Sequence, residues 1–321
     1  MTLARPPIHP SLADRSVLTL RHHTAESIAA VLDLAAALKA SPRPWPQWLA
    51  GRVIGMIFEK PSTRTRVSFE VAVARLGGTV MTMSPADMQI GRGETIEDTA
   101  KVLSRFLDAI VIRSASHERV DELARHATVP VVNGLTPHHH PCQALADTMT
   151  LVERFGSLRG LPVTYLGDGN NCLNSLAVLA AHTGMALVCA TPEAYAPDPE
   201  LVAWADETAR AKGGSVSAVR DPIEAARGAR AIYTDVWVSM GDEAEHEARV
   251  AALGSYQANA QLLRHAADDA VVLHPLPAHY GMEITHEVAH GAQSALWDEA
   301  ENRMHAQAAL LVHLLPPLAA D

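Results

Sequence analysis

Cysteine is scarce in this 321-residue chain, which has only Cys142, Cys172 and Cys189. An odd number without C-x-x-C spacing excludes a disulfide framework and a four-cysteine zinc site, so reduced thiols are expected. Basic residues are also short. Lys and Arg total 26 against 36 for Asp and Glu, a net charge of −10. That balance argues against a nucleic-acid surface and against docking on acidic membranes. No apolar stretch is long enough to span a bilayer, and Met1 to Ser11 lacks the apolar core of a signal peptide, so a cytoplasmic location is expected. The G-x-x-x-x-G-K-[ST] phosphate loop is absent as well. What the chain does have is 48% hydrophobic residues and the length for two sizeable cores.

The organising stretch is 58–70, Phe-Glu-Lys-Pro-Ser-Thr-Arg-Thr-Arg-Val-Ser-Phe-Glu. Before it, Val53 to Phe58 reads as a buried strand, and after it Val67, Val71 and Ala74 mark one face of a helix. Pro61 stops the strand, Ser62 and Thr63 suit capping, and Arg64 and Arg66 place two positive charges in the first helical turn. The positive end of a helix dipole normally favours acids. Two arginines there make electrostatic sense if backbone N–H groups and guanidinium forks hold an anion, and phosphate is the expected one. A helix start with solvated arginines is the plain alternative.

In chain order, a helix is expected over about Thr24 to Leu38, then this strand and helix, then a strand at Thr79 to Met83 and a polar loop carrying Gln89. That loop is long enough to reach a site in this or a neighbouring subunit. Ala109 to Ile112 is a further strand, followed by Arg113. An arginine just past the carboxyl end of an inner strand stands where open parallel sheets bind ligands. Next come a helix near 117–126, a strand at Val129 to Val132, and His138-His139-His140-Pro141-Cys142-Gln143. Three consecutive side chains diverge and no H-E-x-x-H partner is recognised for them, so no metal is expected. Pro141 suits a first helical turn, with His140 and Gln143 as hydrogen-bonding groups beside it.

After a junction near Arg159-Gly160 the alternation restarts, with strands at Leu161 to Leu166, Met185 to Ala190, Ser215 to Val219, Ala231 to Tyr233 and Ala270 to Leu273. Gly167-Asp168-Gly169-Asn170-Asn171-Cys172 resembles a dinucleotide turn, but Cys172 occupies the third glycine position, which disfavours a nicotinamide cofactor. Asp235 stands where a carboxylate binds an ammonium group, or else caps the next segment. His274-Pro275-Leu276-Pro277 forces an extended or cis turn. A last helix, about Glu299 to Leu315, carries Arg303 near its start. The expected fold is α/β in two domains, each a mainly parallel sheet flanked by helices: 1–155 joined by about 300–321, and 156–299.

Ser62-Thr63-Arg64-Thr65, Arg113, His140-Pro141-Cys142-Gln143, Asp235 with Ser239-Met240-Gly241, and His274-Pro275-Leu276-Pro277 follow one another over nearly the whole chain. In combination they resemble the aspartate/ornithine carbamoyltransferase family, on its ornithine side. The resemblance implies carbamoyl transfer from carbamoyl phosphate to the side-chain amine of L-ornithine, giving citrulline and phosphate, without a cofactor. It implies a trimer or a multiple of trimers. For carbamoyl phosphate it implies Ser62, Thr63, Arg64, Thr65, Gln89, Arg113, His140, Gln143, Pro275, Leu276 and Arg303. Ornithine would fall to Asn171, Asp235, Ser239 and Met240, with Arg64, Arg113, His140 and Asp235 in the chemistry. One motif departs from the pattern. Ornithine members usually have His-Cys-Leu-Pro where this chain has Pro275, which leaves the acceptor of the amine's proton open. Another amine (acylated ornithine, putrescine or aspartate) and a non-catalytic relative that binds carbamoyl phosphate are the alternatives.

Overall fold

The computed structural model describes residues 3–13, 15–90, 93–238 and 243–318. They form two compact units: one runs up to Met149 and resumes at Glu301, and the other runs from Thr150 to Ala300. Each is a parallel sheet with helices, as the alternating pattern predicts.

The first unit has strands β1 (Val53–Phe58), β2 (Thr79–Met83), β3 (Ala109–Arg113) and β4 (Val131–Leu135) in the order β2-β1-β3-β4, all parallel. Its helices are α1 (Ala25–Ala40), α2 (Thr63–Arg75), α3 (Ile96–Leu103), α4 (His117–His126) and α5 (Pro141–Phe155), whose last turns belong to the second unit. The middle strands are apolar because helices cover both faces of a parallel sheet. Ile57, Ile110 and Ile112 lie among Leu107, Val120 and Leu123 in one buried cluster, and each fully buried side chain of this size stabilises by about 1.5–3 kcal/mol. Caps fix the helix starts: Thr24 and Ser27 form a reciprocal capping box on α1, and Thr95 accepts from the Asp98 N–H on α3. The chain turns to β2 on one side of β1 and to β3 on the other. The topological switch point is therefore at the carboxyl ends of β1 and β3, where open sheets bind ligands.

The second unit has β5 (Pro162–Leu166), β6 (Ala186–Ala190), β7 (Ser215–Val219), β8 (Ala231–Thr234) and β9 (Val271–Leu273), ordered β7-β6-β5-β8-β9 and again parallel. Its helices are α6 (Asn171–Thr183), α7 (Pro199–Arg210), α8 (Pro222–Ala226), α9 (His246–Leu253), α10 (Ala260–Leu263) and α11 (His286–Ala289). The switch point here lies between β5 and β8. The glycines after β5 serve the backbone: Gly167 has φ +123°, and a Cβ on Gly169 would stand 2.6 Å from Pro197 N. Close packing of chain on chain thus accounts for the G-x-G of this turn. The last helix, α12 (Leu296–Leu314), starts three residues earlier than its sequence pattern suggests and carries Arg303 back into the first unit.

Candidate functional site

At the first switch point, Ser62 precedes α2 with extended backbone (φ −158°, ψ 95°) but makes no side-chain cap. Its hydroxyl instead accepts from Arg113 Nη1 at 3.1 Å, which ties the end of β3 to the start of α2. Because Ser62 does not spend its oxygen on the helix, the first N–H groups of α2 keep their capacity to bind an anion. Glu59 steadies the same two strand ends. Its backbone N–H donates to the Arg113 carbonyl at 3.0 Å, and its carboxylate accepts from the Ser114 hydroxyl at 2.7 Å, the Ala115 N–H at 3.0 Å and Arg119 at 2.5 Å. Burial pushes that carboxyl up, yet the bonds from Arg119, Ser114 and Ala115 outweigh it and hold the group below its ordinary value.

α5 begins at Pro141, so Gln143 lies inside its first turn and the His140 carbonyl accepts from the Gln143 and Ala144 N–H groups. Gln143 donates through Nε2 to buried Asp147 at 2.8 Å, while its Oε1 accepts from Arg303 Nη1. Arg303 also donates through Nη2 to Thr65 at 2.6 Å. Arg303, Thr65, Gln143 and His140 are all buried. His140 is held neutral, far below the ordinary imidazole value, first by burial and then by the Arg303 and Arg113 guanidiniums. Burial and the neighbouring Arg303 likewise lower Arg64. Cys142 is pushed up to about 12 by burial and is an inert thiol.

The three consecutive histidines part company. His138 stacks on His117 of α4 with ring centroids 5.2 Å apart, and His139 meets the same ring edge-on at 5.6 Å. Thr136 accepts from the His139 N–H at 3.3 Å and pairs with His117 Nδ1 at 2.8 Å, so this cluster holds the loop that delivers His140. Of the expected first-unit residues, the structure brings Ser62, Arg64, Thr65, Arg113, His140, Gln143 and Arg303 into one linked set. Thr63 is exposed at the start of α2, and Gln89 is exposed on the segment after edge strand β2.

At the second switch point the group is acidic. Asp235, buried just past β8, accepts through Oδ2 from Asn170 Nδ2 at 2.8 Å and through Oδ1 from the Val236 N–H at 2.8 Å. Asn170 caps α6, its Oδ1 accepting from Cys172 N, Leu173 N and the Tyr165 hydroxyl. Burial, then Asp235, pushes Tyr165 well above its ordinary value, so the hydroxyl stays a donor. Asn171 is the first helical residue, half-buried beside this network. Arg249 pairs with Asp168 at 2.7 Å and donates to the Trp237 carbonyl at 3.2 Å. Ser239 and Met240 lie outside the described residues.

The turn after β9 is built on His274, which is buried. Its N–H donates to Glu299 at 2.8 Å, and its Nδ1 accepts from the Leu276 N–H at 2.8 Å. An accepting Nδ1 places the ring proton on Nε2, which donates to buried Glu283 at 3.1 Å. Leu276 has φ +57° and a cis bond to Pro277, one of the two turn geometries that the flanking prolines imply. Pro275 is buried and offers no donor.

Two family models match in sequence: the carbamoyl-P binding domain of aspartate/ornithine carbamoyltransferase over residues 15–153, and its Asp/Orn binding domain over residues 159–314. The chain belongs to the aspartate/ornithine carbamoyltransferase family. Curated relatives of that family include ornithine carbamoyltransferase of Methanoculleus marisnigri, 52% identical over 300 residues, which covers 94% of this chain and 96% of that protein. The anabolic ornithine carbamoyltransferase of Pyrococcus furiosus is 48% identical over 303 residues, covering 94% and 96%. Among solved carbamoyltransferase structures, the Pyrococcus furiosus enzyme superposes with TM-score 0.91 at 48% identity over 95% of this chain and 98% of that one. The Gloeobacter violaceus enzyme gives 0.86 at 45% over 95% and 99%.

The sequence-based list misses Asn170, Tyr165, Glu59, Glu283 and Glu299. Only Asn170 had a local signal, since an Asn just before an apolar helix is a cap candidate. H-E-x-x-H spacing does occur in the chain, at His286-Glu287-Val288-Ala289-His290, on α11 of the second unit and far in sequence from the three consecutive histidines.

Proposed function

We propose that this transferase moves the carbamoyl group of carbamoyl phosphate to the side-chain amine of L-ornithine, giving citrulline and phosphate. The observation that carries the proposal is the cationic set at the carboxyl ends of β1 and β3, where buried Arg303 and half-buried Arg113 act on a neutral His140 and half-buried Arg64 stands beside Arg303. Phosphate is held by the open N–H groups of α2 with Ser62, Thr63, Arg64, Thr65 and Arg113, and Gln89 assists. The carbamoyl oxygen faces His140, Arg113 and Thr65. Neutral His140 donates a hydrogen bond to that oxygen without adding a further charge to the cluster. Gln143 binds the carbamoyl amide, while Pro275, Leu276 and Arg303 complete the pocket. Asn171, Asp235, Ser239 and Met240 hold ornithine.

The amine nitrogen attacks the carbamoyl carbon and forms the C–N bond. The oxyanion that develops is met by preorganised donors, and collapse breaks the C–O bond to phosphate. An alkyl ammonium titrates at about 10.4, so a proton must leave before or during attack. With Pro275 in place of a thiol, Asp235 or an oxygen of the departing phosphate takes it. The working unit is a trimer in the cytoplasm, in which Gln89 reaches an adjoining site. The support for this arrangement is the exposure of Gln89, Val67 and Met81 beside edge strand β2.

The test is citrulline formation by the purified protein, with aspartate, putrescine and acetylornithine as parallel acceptors. Turnover with ornithine alone is the expected result. Turnover only with another amine moves the assignment to that acceptor, and carbamoyl-phosphate binding without turnover marks a non-catalytic relative.

A further inference from the structure

The H-E-x-x-H stretch lies on the surface of the second unit. α11 is a single turn that Thr285 caps by accepting from the Val288 N–H, and the His290 N–H closes the turn on the His286 carbonyl at 3.0 Å. Residues four apart share a helix face. His286 and His290 accordingly stack, with ring centroids 4.2 Å apart and planes at 23°, and both are exposed. The Tyr280 hydroxyl stands 3.1 Å from His290 Nε2, and the Trp297 ring centroid lies 5.4 Å from that of His290.

We propose that His286 and His290 form a two-imidazole chelate for a divalent transition cation such as Zn²⁺ or Cu²⁺. Imidazole nitrogen suits these ions, whereas Mg²⁺ and Ca²⁺ select oxygen ligands. Among the described residues no third His, Cys, Asp or Glu completes a group of ligands, so water fills the remaining positions. That open shell, together with a helix of one turn, separates the site from a metallopeptidase centre. Glu287 lines a cleft of about 430 Å³ with Arg264, Asp268 and Gln293. In the stack the in-plane nitrogen lone pairs of the two rings run nearly parallel, so chelation turns both exposed imidazoles out of the stack, and His290 Nε2 exchanges the Tyr280 hydroxyl for the metal.

Trp297 makes the site testable without an activity assay, because bound Cu²⁺ quenches a nearby indole. Titrating the full chain with Cu²⁺ is expected to give a saturable loss of tryptophan emission that Trp297→Phe removes and Zn²⁺ reverses by competition. His290→Asn keeps a hydrogen-bonding group for Tyr280 while removing the imidazole. It and His286→Asn should each weaken the apparent affinity about tenfold or more, roughly 1.4 kcal/mol, with thermal unfolding unchanged. Quenching of the same amplitude and midpoint in the double variant would overturn the proposal, as would no quenching of the wild-type protein.

Discussion

The two switch points use the same architecture with opposite charge. In the first unit Arg303 and Arg113 act on a neutral imidazole, with Arg64 beside Arg303, and in the second Asp235, held by Asn170, stands at the corresponding strand ends. Parallel sheets supply the location in both cases, and what differs is the charge brought there: Arg113 at the end of β3 with Arg64 from α2 and Arg303 from α12, against Asp235 one residue past β8. The lesson is that the fold repeats while the electrostatics diverge. A dianionic phosphate suits the first set and an ammonium-bearing amino acid the second.

The largest expected effect comes from removing charge at the first switch point. Arg113→Met deletes both the Ser62 link and a cation beside His140, and kcat/KM for carbamoyl phosphate should fall by about 10²–10³ in steady-state assays. A smaller, differently placed loss is expected at the second. Asp235→Asn should lower kcat/KM for ornithine by about 10², while direct titration shows carbamoyl phosphate binding as in the wild type. An equal loss for both ligands would erase the division of charge between the units.

Stability should discriminate the units too. Burial, then His117, His138, Arg21 and His22, lowers His139 to about 4. Its folded value is below that of the unfolded chain, so its contribution is present above about pH 6.5 and is lost as pH falls toward 4. Between pH 6.5 and pH 5 this one group costs about 1.5 kcal/mol. His139→Asn should flatten the acid limb of denaturant-measured stability by that amount. The smallest effect is expected for Pro275→Cys. If Asp235 or the leaving phosphate takes the amine's proton, the basic limb of the pH–rate profile stays where it is, and a shifted limb would show that a thiol at this position matters.

Much of this was legible in the residues. The strand-to-helix joint at 58–70 and Arg113 at the end of β3 were readable because apolar runs, Pro61 and misplaced arginines are local signals. Histidine 140 could be separated from His138 and His139 only by what packs against each, since His117 is distant in sequence from that loop. The sequence points to Asn171 through the resemblance alone, and Asn170, whose Oδ1 caps α6 while its Nδ2 donates to Asp235, escapes it because that partner lies far away in the chain. The His274, Glu283 and Glu299 network joins three segments through buried groups and leaves no periodic trace in the chain.

The most direct measurement is a pair of calorimetric titrations on Arg303→Met and Asp235→Asn, with carbamoyl phosphate first and ornithine second. Arg303→Met, which loses the bonds to Thr65 and Gln143, should fail to bind carbamoyl phosphate. Asp235→Asn should bind it normally and then fail to take ornithine. If Arg303→Met binds carbamoyl phosphate as tightly as the wild type, Arg303 and its bonds to Thr65 and Gln143 do not build the carbamoyl-phosphate pocket.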